Sequence, residues 1–245
     1  MKPISIIFLM CLFATAAFAS GSPVTYEVNG IAYEGYYLSA GEKAPLVLIV
    51  HDWDGLNAYE IKRAEMLEGL GYSVFAMDLF GKGVRPETME ERQKQTGALY
   101  KDREKMRALL NGGIKAAESK GGDIHNAVAI GYCFGGTAIL ELARSGADIK
   151  GFVSFHGGLS IPEGQDFSSV KGKVLVLHGT ADASVSMEEF AKLAAAMEAK
   201  GVSHEMITYS GAPHAFTVFG SERYREDADK KSWRRFTEFL TETLR

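Results

Sequence analysis

Two cysteines in 245 residues, Cys11 and Cys133, are too few to build a disulfide-stapled fold. None of the six histidines sits in an HxH or HExxH pairing and there is no CxxC, so no metal site is expected. The glycine-rich stretch from Gly131 to Gly136 has neither the GxGxxG register nor a phosphate-loop lysine, and no nucleotide or other cofactor is expected. Basic residues are not in excess: 27 Lys and Arg stand against 31 Asp and Glu, for a formal net charge of −4. Such a surface argues against nucleic-acid binding. Linkers, internal repeats and low-complexity tracts are missing as well.

The one long apolar run lies at the start of the chain. Lys2 precedes the apolar stretch Ile4 to Ala16, and Ala17-Phe18-Ala19 forms an AxA site before Ser20. Residues 1–19 therefore read as a secretory signal, with residues 20–245 as one mature domain and the periplasm as the expected destination. The run is shorter than the roughly 20 residues that span a bilayer, so no stable membrane anchor is expected after cleavage. Cys11 follows Met10 where a lipoprotein signal wants a small residue, and it leaves with the signal. Removing residues 1–19 takes away Lys2 and no acid, which moves the net charge from −4 to −5. Cys133 is then a lone thiol in an oxidising compartment.

Strand-like runs are predicted at residues 25–28, 31–38, 45–50, 73–77, 127–130, 151–155, 173–177 and 204–209. They alternate with helical stretches near 60–70, 89–120, 137–145, 187–200 and 228–244. This alternation predicts an α/β fold: a mostly parallel sheet with an antiparallel N-terminal edge and helices on both faces. Sites in such sheets lie beyond the carboxyl ends of the strands.

Three segments place chemistry there. Gly131-Tyr132-Cys133-Phe134-Gly135-Gly136 joins an apolar strand to a helical run, so Cys133 sits on a sharp turn where a Cβ two residues to either side would clash. Taken alone, the motif also fits a buried, inert cysteine. Val174 to His178 then leads into Gly179-Thr180-Ala181-Asp182, and His204 to Tyr209 leads into Gly211-Ala212-Pro213-His214. The order Cys133, Asp182, His214 is nucleophile, acid, base.

With these motifs the chain resembles the dienelactone hydrolases, cysteine-nucleophile members of the α/β-hydrolase superfamily, from about Val24 to the C-terminus. The likeness rests on the elbow, on Val50-His51-Asp52-Trp53-Asp54-Gly55-Leu56-Asn57, on Leu177 to Asp182 and on Pro213-His214-Ala215-Phe216-Thr217. It implies a hydrolase of small lactones or carboxylic esters that works through a thioester acyl-enzyme. Backbone N–H groups of Phe134 and Trp53 would hold the oxyanion. In the family a glutamate commonly contacts the thiol from the position of Asp52. The shorter aspartate here leaves two readings open, a thiol-contacting acid and a turn cap. Asp54 is acidic where an apolar residue is more usual.

Two arginines recognise carboxylate-bearing lactones in the best-known relatives. The matching positions here are Lys94 and Val218, which argues against dienelactone itself as substrate. Lys94 is therefore a candidate substrate contact or simply a solvated helix residue. His156 and Phe216 are further candidate pocket residues. The alternative to a small-molecule hydrolase is a binding or thiol-sensing protein that keeps the fold without catalysis; a peptidase acting on large substrates is a third reading.

Overall fold

The computed structural model describes residues 21–244, and the expected signal segment at 1–19 lies outside the described residues. Eight strands are present: β1 (Ser22–Val28), β2 (Ile31–Leu38), β3 (Pro45–Val50), β4 (Ser73–Met77), β5 (Asp123–Tyr132), β6 (Gly151–Phe155), β7 (Lys173–Gly179) and β8 (His204–Tyr209). They form one sheet in the order β1-β2-β4-β3-β5-β6-β7-β8. The pairings of β1 with β2 and of β2 with β4 are antiparallel, and every other pairing is parallel. This is the mostly parallel sheet with an antiparallel N-terminal edge expected from the alternating elements, and the α/β-hydrolase arrangement that the resemblance implies.

The central strands β3, β4 and β6 are apolar runs because both faces of the sheet are covered. Along β3 the side chains alternate between two cores. Leu46, Leu48 and Val50 pack with Leu109 and Leu110 of α3 (Arg103–Ser119), Ala138 and Leu142 of α4 (Phe134–Arg144) and Leu193 of α5 (Met187–Glu198). Val47 and Ile49 pack instead with Ala64 and Leu67 of α1 (Ala58–Glu68) and with Phe236 and Leu240 of α6 (Glu226–Thr243).

One element differs from its expected form. The helical stretch 89–120 is two helices, α2 (Met89–Lys101) and α3, divided at Asp102. Asp102 leaves helical geometry at φ −118° and ψ 83°, and its carboxylate accepts the Lys105 N–H at 2.9 Å as an N-cap. An aspartate in a helix interior competes for backbone donors, and here it starts a new helix. The break places Arg103, the first residue of α3, beside the cavity described next.

Candidate active site

The carboxyl ends of β3, β5, β6, β7 and β8 deliver Asp52, Cys133, His156, Asp182 and His214 to the same edge of the sheet. Between β5 and α4 the backbone turns at Cys133, with φ 48° and ψ −108°. A side chain at Gly131 would collide with the Gly135 backbone, and one at Gly135 with the Val50 carbonyl. The two glycines therefore permit the elbow. Cys133 shares the left-handed region with two other non-glycine residues of the site, His156 at φ 40° and Ala215 at φ 62°. Each such residue costs about 1–3 kcal/mol, which the surrounding contacts must offset.

The side chains of Cys133, His214 and Asp182 are in hydrogen-bond contact. His214 Nε2 lies 3.0 Å from Cys133 Sγ, and His214 Nδ1 lies 2.7 Å from Asp182 Oδ2. The other oxygen of Asp182 accepts the N–H groups of Ser184 at 2.8 Å and Val185 at 2.9 Å. Burial works against the Asp182 carboxylate, but the hydrogen bond and charge of His214 and the two amides outweigh it and hold its pKa below the ordinary value. An ionised Asp182 fixes the Nδ1–H tautomer of His214, so Nε2 faces the sulfur as a proton acceptor.

Asp52 lies on the other side of the thiol. Its carboxyl acts on the Cys133 thiol from close by, and its Oδ1 accepts the Trp53 N–H at 2.5 Å. The local cap among the two readings of Asp52 is thus present, on a side chain that also lies beside the thiol. Burial pushes its pKa up to about 6, against the pull of the Trp53 amide, with the Asp54 charge adding to the rise. Burial also pushes the Cys133 thiol well above its usual range; the charge of Asp52 and the hydrogen bond to it act in the same direction, and the Phe134 N–H at the sulfur opposes them. The resting cysteine is thus a thiol.

The loop carrying Asp52 and Trp53 is fixed from behind. His51 Nε2 accepts the Leu79 N–H at 3.1 Å, so its Nδ1 bears the proton and donates to the Asp52 carbonyl at 2.6 Å. The buried Glu60 accepts the Asp52 N–H and the Asn57 N–H, each at 3.1 Å. The spacing Asn57-x-x-Glu60 is that of a capping box, a signal legible in the sequence.

A cavity of about 690 Å³ opens onto Cys133 and His214, a size suited to a small molecule. Asp52 and Trp53 line it together with Met89, Tyr100, Arg103, Glu189 and Arg223. Arg103 stacks over the Tyr100 ring at 5.1 Å and stands 3.7 Å from Glu141 Oε2, while its Nε has no partner among the described residues. Asp54 is not in the wall, so only one of the two loop carboxylates faces the cavity.

Three expected pocket residues are corrected by their positions. Lys94 is exposed on α2 and takes no part in the cavity wall. The α2 residues in the wall are Met89 and Tyr100; Arg92, two residues from Lys94 and so nearly opposite in direction, stacks its guanidinium 5.3 Å from the Trp53 ring centre. Phe216 is fully buried in the core shared with Phe236 and Tyr209. His156 is also fully buried, behind the elbow rather than in the cavity. Among the described residues no cluster of His, Cys, Asp and Glu has the makings of a metal site.

The sequence pattern of the dienelactone hydrolase family matches residues 34–244. The chain is 25% identical over 210 residues to a Salmonella typhimurium protein named "Putative carboxymethylenebutenolidase", a match that covers 81% of this chain and 77% of that one. Among solved structures, the protein called m3DLH superposes with a TM-score of 0.86 at 30% identity, covering 94% of this chain and all of the other. A dienelactone hydrolase-like promiscuous phosphotriesterase from metagenomic libraries superposes with a TM-score of 0.87 at 26% identity over the same shares.

Proposed function

The chain belongs to the dienelactone hydrolase family, and from that premise we propose that it cleaves small carboxylic esters and lactones with Cys133 as nucleophile, His214 as base and Asp182 as the acid that orients it. Membership makes it an ester or lactone hydrolase, which sets aside a non-catalytic role for the fold. The observation that carries the finer reading is the unbroken contact from Cys133 Sγ through His214 to Asp182, at 3.0 and 2.7 Å.

In the proposed reaction the substrate enters the cavity and the thiol proton passes to His214 Nε2. Sulfur attacks the acyl carbon to give a tetrahedral oxyanion, held by the N–H groups of Phe134 and Trp53. In the resting site the Trp53 N–H is given to Asp52, so the oxyanion must displace that carboxylate. His214 then protonates the departing oxygen as the C–O bond breaks. The resulting thioester is attacked by water, from which His214 takes the proton, and collapse of the second tetrahedral species returns the acid and the free thiol. When the substrate is a lactone, the departing alcohol remains attached to the acyl chain and leaves only at the hydrolysis step.

Arg103 and Arg223 set positive charge against the negative charge of Asp52 and Glu189 in the wall, which favours small polar substrates over purely apolar ones. Export to the periplasm is part of the proposal and rests on Lys2, the apolar stretch and the Ala17-Phe18-Ala19 site. Stopped-flow mixing with p-nitrophenyl acetate tests the chemistry. A burst in the wild type that disappears in Cys133→Ala and His214→Ala supports these roles, and an undiminished burst in either variant rejects the role of the residue replaced.

A further inference from the structure

A chain of buried polar groups runs behind the nucleophile and takes no part in the chemistry described so far. The backbone N–H of Cys133 is shared between the Phe155 carbonyl at 3.0 Å and His156 Nδ1 at 3.2 Å. Because Nδ1 accepts an amide proton, the neutral ring carries its own proton on Nε2 and donates it to Thr217 Oγ1 at 2.8 Å. The Thr217 hydroxyl shares a 2.6 Å hydrogen bond with the Tyr59 hydroxyl, to which Arg63 Nε donates at 3.3 Å. Arg63 Nη2 donates to the Thr217 carbonyl at 2.9 Å and pairs with Asp229 on α6.

Burial holds the His156 pKa well below the usual imidazole value, and the nearby His214 and Arg63 add to the effect, so the neutral ring and its tautomer persist. His156, Thr217, Arg63 and Asp229 are each at most 5% exposed, and none of them lines the cavity. Thr217 lies three residues after His214, on the loop that holds the base. The path from His156 to Thr217 therefore ties the backbone of the nucleophile to the loop of the base, and Arg63 anchors that loop to α1 and α6. The left-handed residues Cys133, His156 and Ala215 all lie along it.

We propose that His156, Thr217, Tyr59 and Arg63 form a positioning relay that sets the separation of Cys133 Sγ and His214 Nε2. The inference rests on the reading of Cys133 and His214 as nucleophile and base. Thr217 is the member to test, since Val keeps its shape and removes only the hydrogen bond while Ser keeps the hydroxyl. A misplacement of about 1 Å between reacting groups costs roughly 10²-fold in rate. Thr217→Val is accordingly expected to slow acylation by p-nitrophenyl acetate about 10- to 100-fold with KM changed less than about twofold, and Thr217→Ser to recover most of the wild-type rate.

The inference is overturned if folded Thr217→Val acylates at the wild-type rate, if Thr217→Ser fails as badly as Thr217→Val, or if the defect lies in KM alone. Should Thr217→Val fail to fold, Tyr59→Phe decides in its place: a smaller acylation defect at unchanged KM supports the relay, and wild-type acylation overturns it. A wild-type protein that gives no burst rejects the roles of Cys133 and His214, and the relay with them. A wild-type burst that Thr217→Val leaves intact rejects the relay alone.

Discussion

The two sides of the Cys133 thiol differ in readiness. On one side His214 and Asp182 are already aligned at 3.0 and 2.7 Å, with the Asp182 carboxylate fixed by two backbone amides. On the other side Asp52 lies beside the thiol and accepts the Trp53 N–H that the proposed oxyanion would use. In the proposed mechanism the thiol stands between a base that leads to reaction and a carboxylate that holds the cysteine at rest. On that mechanism the site keeps Cys133 protonated and protected from oxidation until a substrate displaces Asp52, because the thiolate is the species that reacts.

Removing the aligned side is expected to have the largest effect. Cys133→Ala should lower kcat/KM for small esters by about 10⁴-fold or more and leave no acyl adduct detectable by mass spectrometry. His214→Ala should cost about 10³-fold, since the thiol loses its proton acceptor. Asp182→Asn keeps the shape but misdirects the imidazole tautomer, and a loss of about 10²-fold or more in the acylation rate is expected by stopped flow.

The occupied side is expected to show itself first in stability. Asp52 has its folded pKa raised to about 6 from an ordinary value of 3.8, so the folded state binds its proton more tightly than the unfolded chain. That stabilisation is full below pH 3.8 and is lost as the pH rises through about 6. Relative to Asp52→Asn, the wild type should therefore lose about 1–3 kcal/mol between pH 4 and pH 7, read by urea denaturation at each pH. A constant difference between the two proteins would contradict the burial of this carboxylate. The smallest effect is expected away from both sides: Lys94→Ala, exposed on α2, should change KM by less than about twofold.

How much of this was readable depended on whether a feature is local. The elbow is local, since Gly131 and Gly135 are glycine for a steric reason that the motif itself displays. The convergence of Asp182 and His214 was legible because parallel strands deliver their following loops to one edge. Lys94 is expected at the site only from its match to a family position, and its phase on α2, which starts at the Thr88 capping box, turns it to solvent. Arg103, which lines the cavity, follows the break at Asp102 as the first residue of α3. The place of Asp52 beside the thiol depends on the curvature of a loop held by Glu60 of α1 and, through His51, by the Leu79 N–H after β4, which sequence spacing does not specify. The bond between His156 and Thr217, 61 positions apart, carries no local signal at all.

The contrast between the aligned and the occupied side is tested most directly by the rate of Cys133 alkylation with iodoacetamide as a function of pH, in wild type and in Asp52→Asn. Because Asp52 raises the thiol pKa through its charge and its hydrogen bond, the variant should be alkylated faster at neutral pH, with its titration midpoint shifted to lower pH. A midpoint that stays in place or moves upward would contradict a thiol held at rest by Asp52.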